Sequence, residues 1–121
     1  MAKNNCELQI SCDGGTLIAR LSGELDHHGA VAVRSLIDSQ IMQHKPKKTV
    51  LELSGLDFMD SSGIGLIMGR YALIERLGGE FSVLSPNERI LKIFKLAGLE
   101  RLVKIEGQAE AKHQKRKGEK R

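Results

Sequence analysis

Apolar and polar residues alternate along the first part of the chain, and the period of that alternation changes near residue 26. Glu7 to Cys12 and Thr16 to Ser22 both read as strands, and Asp13-Gly14-Gly15 between them supplies the positive backbone torsion of a tight turn. This pair predicts a hairpin. Ala30, Val33, Ile37 and Ile41 then recur at three and four residues, a helical stripe that Asp26 is placed to cap and that ends before Pro46. Thr49 to Leu53 is apolar and β-branched enough for a largely buried strand, and after it Ile64, Ile67, Tyr71 and Ile74 mark a second helix. That helix runs to about Leu77, where Gly78-Gly79 stops it before a strand from Glu80 to Leu84. Ser85-Pro86-Asn87-Glu88 reads as a capping box with Ser85 as the cap, opening a helix whose buried stripe is Ile90, Phe94 and Ala97. Gly98 can end it, leaving Leu102, Val103 and Ile105 for a short turn and an edge strand. No internal repeat is visible. The order predicts an α/β fold, a single mixed β-sheet of four to five strands with helices packed mainly on one face.

Length and charge narrow the classes. With 121 residues, 40% of them hydrophobic, the chain suits one compact core and is too short for two ordinary domains. No apolar run approaches the roughly 18 to 20 residues that cross a bilayer, and the N-terminus lacks the apolar core of a signal peptide. A cytoplasmic protein without membrane insertion is expected. The net charge of +4 invites a nucleic-acid reading until it is located: Gly107 to Arg121 holds six of the 19 basic and two of the 15 acidic residues, leaving 13 of each in the body. Residues 1–106 are therefore expected to form the domain and 107–121 a disordered basic tail, either merely solubilising or weakly attracted to nucleic acid or anionic lipid. No direct DNA binding is expected of the neutral body. Cys6 and Cys12 have neither zinc nor thioredoxin spacing, so two reduced thiols and no metal are expected.

The densest chemistry lies at Asp60-Ser61-Ser62-Gly63, where a strand gives way to a helix. A helix start presents free amides and the positive end of the dipole, so phosphate on Ser61 is compatible with folding. Beside Asp57 and Asp60 its charge of about −1.5 to −2 would make a concentrated negative patch. The alternative is that Ser61 or Ser62 is simply the helix cap. Gly63, Gly65 and Gly69 each cost about 1 kcal/mol relative to alanine in a helix interior. Ser62, Gly65, Gly69 and Ala72 fall on one side of the helix, a nearly bald strip closed by Arg76. Such a strip admits another backbone closely, either a partner's or that of a neighbouring helix in the same domain. Catalytic signals are poor. No histidine among His27, His28, His44 and His113 stands at the spacing of a triad or metal site, there is no phosphate-binding G-x-x-x-x-G-K-[ST] loop, and Gly63-Ile64-Gly65 with Gly69 departs from G-x-G-x-x-G. An enzyme is not expected.

The segments Gly23-Glu24-Leu25-Asp26-His27-His28 and Phe58 to Tyr71, with Gly78-Gly79-Glu80 and Phe94 to Leu99, resemble those of anti-sigma factor antagonists, the bacterial branch of the STAS domains. The resemblance covers about residues 7–106 and implies a STAS fold. It implies that the unmodified protein binds an anti-sigma factor that is also a serine kinase, freeing the sporulation sigma factor F. It further implies that the kinase phosphorylates the first serine after the aspartate, here Ser61, and that a membrane-associated serine phosphatase reverses this. By the same resemblance Glu24, Asp26 and His27 would lie near Ser61 and join Asp60, Ser62, Gly63, Gly65 and Gly69 in the docking surface. ATP and magnesium belong to the kinase, so no cofactor is implied for this chain. The basic tail is not part of the family pattern. Three rivals remain: an antagonist in a stress-response sigma switch, a receiver-like domain phosphorylated on Asp57 or Asp60, and a nucleic-acid binder working through the tail.

Overall fold

A computed structural model describes residues 5–107 of the chain. Strand β1 (Cys6–Asp13) and strand β2 (Thr16–Leu25) form the expected hairpin, antiparallel from Asp13 opposite Thr16 to Cys6 opposite Gly23. Helix α1 (His27–His44), strand β3 (Lys48–Met59), helix α2 (Ser61–Leu77), strand β4 (Glu80–Leu84), helix α3 (Glu88–Leu96), a 3-10 turn (Leu99–Arg101) and strand β5 (Lys104–Glu106) follow. The sheet order is β1-β2-β3-β4-β5, parallel from β2 onward. Because each parallel strand lies beside its sequence neighbour, crossovers of one hand carry all three helices to the same face. That is the mixed, one-sided α/β sheet the sequence implied. The proposed tail beyond Gly107 falls outside the described residues.

The face under the helices is made by Leu17, Ala19 and Leu21 of β2 and by Thr49, Leu51 and Leu53 of β3, all buried. Onto it fall Val33, Ile37 and Ile41 from α1, Ile67 and Ile74 from α2, and Ile90 and Phe94 from α3. Each such side chain withdrawn from water stabilises the fold by about 1.5–3 kcal/mol before entropy is charged against it. The sheet's opposite face carries Arg20 and Glu52, which lie opposite each other in the β2–β3 register.

Four expectations need correction. Strands β2 and β3 run past Ser22 and Leu53 to Leu25 and Met59, because the two segments pair with each other through register shifts between Arg20 and Ser22 and between Gly23 and Glu24. Gly23, at φ 94, makes this passage possible, since the Asn5 carbonyl occupies the space of a side chain there. The cap of α3 is Asn87, whose Oδ1 accepts the Ile90 N–H at 2.8 Å, and not Ser85. Ser85 adopts φ 59 and donates its N–H to the Glu106 carbonyl at 2.7 Å, so it belongs to the turn that β5 closes. Ala97 is exposed at the C-cap of α3, and Leu91 and Leu99 are buried in its stead. Helix α2 buries Leu66 and Arg70, while Ile64 and Tyr71 are only half-buried, so its inward face is turned toward α1.

Candidate functional site

Strands β2 and β3 end side by side, Leu25 opposite Met59, and each is followed by an aspartate that starts a helix. Asp26 (φ −105°, ψ −171°) accepts the Gly29 N–H at 2.9 Å, and Asp60 (φ −101°, ψ −165°) accepts the Ser62 N–H at 2.8 Å. Carboxylates suit these places, since they satisfy orphan amides and meet the positive end of the helix dipole. The Asp60 N–H donates to the Leu25 carbonyl at 3.3 Å, tying the two junctions together. Two helix starts therefore stand next to each other at one end of the sheet.

Ser61 is the first residue of α2 and is exposed; its hydroxyl has no hydrogen-bond partner among the described residues. The cap is Asp60, so neither Ser61 nor Ser62 serves the capping role that the sequence left open. Gly63 is different. A side chain there would put its Cβ 2.7 Å from Met59 Sδ and 3.0 Å from Met59 Cβ, so only glycine lets α2 settle onto the end of β3.

The bald strip faces open space. A Cβ at Gly65 or Gly69 would meet nothing within 4 Å, which overturns the alternative that neighbouring helices of the domain fill the strip. Between α1 and α2 lies a groove of about 290 Å³, walled by His27, Ala30, Val31 and Arg34 on one side and Ser62, Gly65 and Leu66 on the other. Val31, 48% exposed, offers apolar surface with no partner in the fold. A wider open cleft of about 780 Å³ beside the start of α3 mixes Asp57 and Glu88 with Arg89 and Lys92, and its Asn87 is fully engaged in capping and in a 3.0 Å bond to the Leu56 carbonyl. It has the character of solvated surface.

The structure thus gathers Asp26, His27, Asp60, Ser61, Ser62, Gly63 and Gly65 at one end of the helix pair. Glu24 is exposed three residues before the start of α1, opposite Phe58, and Gly69 lies further along α2, outside the groove lining. Sequence reasoning passed over one feature: Arg70, buried between Ile67 and Ile74 on the inward face, with its Nε 2.8 Å from Asp38 Oδ1 of α1. A cation three residues after one buried isoleucine and four before another was the available signal; its partner 32 residues earlier was not. Below the α1 junction, burial and then the Asp26 carboxylate push the Cys6 thiol above its ordinary pKa, Glu7 adding slightly and a backbone hydrogen bond at Ser22 opposing. Among the described residues no cluster of three or more His, Cys, Asp or Glu could hold a metal ion, and no helix is long and apolar enough to cross a membrane.

This geometry has counterparts. The sequence profile of the STAS domain matches residues 7–111. An anti-sigma F factor antagonist of Paenibacillus polymyxa is 42% identical over 84% of this chain and 86% of its own length. The solved structure of the anti-sigma factor antagonist SpoIIAA in its unphosphorylated form is similar at 31% identity and a TM-score of 0.74, covering 90% of this chain and 95% of that one. The Bacillus cell fate determinant SpoIIAA in its phosphorylated form is similar at 32% identity and a TM-score of 0.67, covering 91% of this chain and all of that one. With a profile spanning most of its length and relatives matched nearly end to end, the chain belongs to the STAS-domain family, on the branch of the anti-sigma factor antagonists.

Proposed function

We propose that this chain is the serine-bearing member of a partner switch in the cytoplasm. With Ser61 unmodified it docks, through the α1 and α2 starts, on an anti-sigma factor that is also a serine kinase, and so releases the sporulation sigma factor F. Phosphorylation of Ser61 ends the docking, and a serine phosphatase restores it. The observation that carries this reading is the state of Ser61: exposed, relieved of capping by Asp60, and beside an unfilled groove. A hydroxyl that the fold does not use can be modified without unfolding the helix it begins.

The chain contributes a substrate side chain and a surface; ATP, magnesium and the phosphoryl-transfer machinery belong to the kinase. Phosphate at Ser61 would meet the positive end of the α2 dipole, which favours it, while Asp60 and, across the paired strand ends, Asp26 make the added charge of about −1.5 to −2 the centre of an acidic patch. Docking is then opposed by charge and by the desolvation of a dianion. The relatives support sigma factor F as the beneficiary, since the 42% identical protein bears that name.

Incubation with the anti-sigma kinase, ATP and magnesium, followed by peptide mapping, should place one hydroxylamine-resistant phosphate on Ser61. Unmodified chain and Ser61→Ala should bind the kinase alike, and the phosphorylated chain about 100-fold more weakly. A hydroxylamine-labile phosphate on Asp57 or Asp60, with Ser61 untouched, would overturn the assignment.

A further inference from the structure

The groove between α1 and α2 has apolar walls, Ala30 and Val31 against Gly65 and Leu66, and a single formal cation, Arg34. One helical turn beyond Arg34 stands Asp38, and one turn beyond Leu66 stands Arg70, so the 2.8 Å Asp38–Arg70 ion pair bridges the helices just past the groove. Arg70 also points Nη1 back at the Leu66 carbonyl, 3.5 Å away. Its Nε–H is not aligned on the Asp38 oxygen, so the pair is held as charge against charge and not as a directed hydrogen bond. Burial lowers the Arg70 pKa, Asp38 opposes the shift, and the like charge of Arg34 reinforces it. Arg34 therefore lies within electrostatic reach of Arg70, whose charge Asp38 already neutralises. Among the described residues Arg34 has no ion pair of its own, and it is exposed.

Around Arg34, about two helical turns along α1 from the carboxylate of Asp26, Arg34 and Arg70 against Asp38 leave one positive charge beside an apolar slot. We propose that Arg34 gives the groove its charge preference, receiving the carboxylate of an acidic side chain on the anti-sigma partner while an apolar neighbour of that side chain lies over Val31 and Gly65. This rests on the docking reading of Ser61. Asp26 and Asp60 already stand at the Ser61 end, and phosphate adds about −1.5 to −2 charges there, so an acidic segment held at Arg34 meets a much stronger repulsion along the same groove.

The test uses the full chain and, as probe, the anti-sigma F factor of Paenibacillus polymyxa with magnesium and ADP, so that no phosphoryl group can be transferred. Arg34→Gln should bind about tenfold more weakly, Arg34→Glu more weakly still, and Arg34→Lys should recover most of the loss. Wild-type affinity should fall more steeply with added salt than that of Arg34→Gln. Thermal unfolding should be alike in all variants, because the side chain is exposed and unpaired. If Arg34→Glu binds within about twofold of wild type while Ser61 phosphorylation still abolishes binding, this inference fails and the docking reading stands. Binding indifferent to the Ser61 phosphate removes the docking reading and the inference with it.

Discussion

The two strand-to-helix junctions share one five-residue frame, an apolar residue, aspartate, two polar residues and glycine, in Leu25-Asp26-His27-His28-Gly29 and Met59-Asp60-Ser61-Ser62-Gly63, and the differences between them divide structure from function. Both run from a parallel strand into an aspartate with nearly identical torsions and then into a helix. At α1 the cap reaches Gly29 and the next positions carry imidazoles; at α2 it reaches Ser62 and they carry hydroxyls. The scaffold is shared, so the modifiable chemistry of the α2 junction owes nothing to special backbone geometry. It is a matter of which side chains were placed on a common turn.

The largest difference is in packing. At Gly63 an added methyl would collide with Met59, itself buried to 1% exposure, whereas at Gly29 it would find neighbours at 3.5 Å or beyond, ordinary contact with Asp26, Cys6 and Leu25. Gly63→Ala should therefore destabilise the fold by about 1–3 kcal/mol through overpacking, visible as a lowered urea midpoint at unchanged slope. Gly29→Ala should lie on the other side of zero. If both substitutions destabilise equally, the two junctions are packed alike and the comparison fails.

Capping comes next in size. Asp60→Ala and Asp26→Ala should each cost about 1 kcal/mol, while Asp60→Asn and Asp26→Asn should retain most of that stability, because the amide oxygen still accepts the helix N–H. The pairs part in the proposed function: Asp60→Asn removes a negative charge beside Ser61 and, on that reading, should relieve part of the repulsion that phosphate on Ser61 sets up. Chemical denaturation reads the first effect and kinase binding the second. A loss of stability on Asp60→Asn as large as on Asp60→Ala would mean that charge and not the hydrogen bond holds the α2 start.

Much of this was legible in the chain because local chemistry decided it. Asp13-Gly14-Gly15 turned as read, the stripe from Ala30 to Ile41 is buried throughout, and Gly78 ends α2 in the left-handed region at φ 79. What escaped was decided by distant partners. Ser54-Gly55-Leu56-Asp57 lies beyond the strand read as ending at Leu53 but is drawn into β3 by the end of β2, and Ser85 loses the capping role because Glu106, 21 residues on, takes its N–H. Arg70 was invisible as a core residue because Asp38 neutralises it from another helix. At the site, Ser61 and Asp26 could be singled out from sequence, whereas the groove could not: its open width depends on how α1 and α2 lie together.

A smaller effect concerns Gly29 alone. Replacing it with alanine relieves the helix of glycine's backbone entropy at a position where the methyl has room, so a gain of about 0.5–1 kcal/mol is expected, read as a raised melting temperature. Close approach to Cys6 sets the limit, since the new Cβ would lie 3.5 Å from the Cys6 Cβ.

Cys6 itself supplies the smallest effect and the last contrast, because it buttresses only the α1 junction. Burial, then the nearby Asp26 carboxylate, raise its pKa, so the folded chain holds the thiol proton more tightly than the unfolded chain does. A raised folded value contributes stability that is complete below the unfolded thiol's pKa and is lost as pH climbs through the folded one, here from about pH 9 upward. The stability difference between wild type and Cys6→Ala, measured by urea unfolding, should therefore be constant from neutral pH to about 8 and shrink toward pH 10. Asp26→Asn should weaken that dependence, since it removes the carboxylate that opposes the thiolate, whereas Asp60→Asn should leave it unchanged. A slope that Asp26→Asn fails to alter would mean burial alone governs the thiol, and the α1 junction would lose its one electrostatic link to β1.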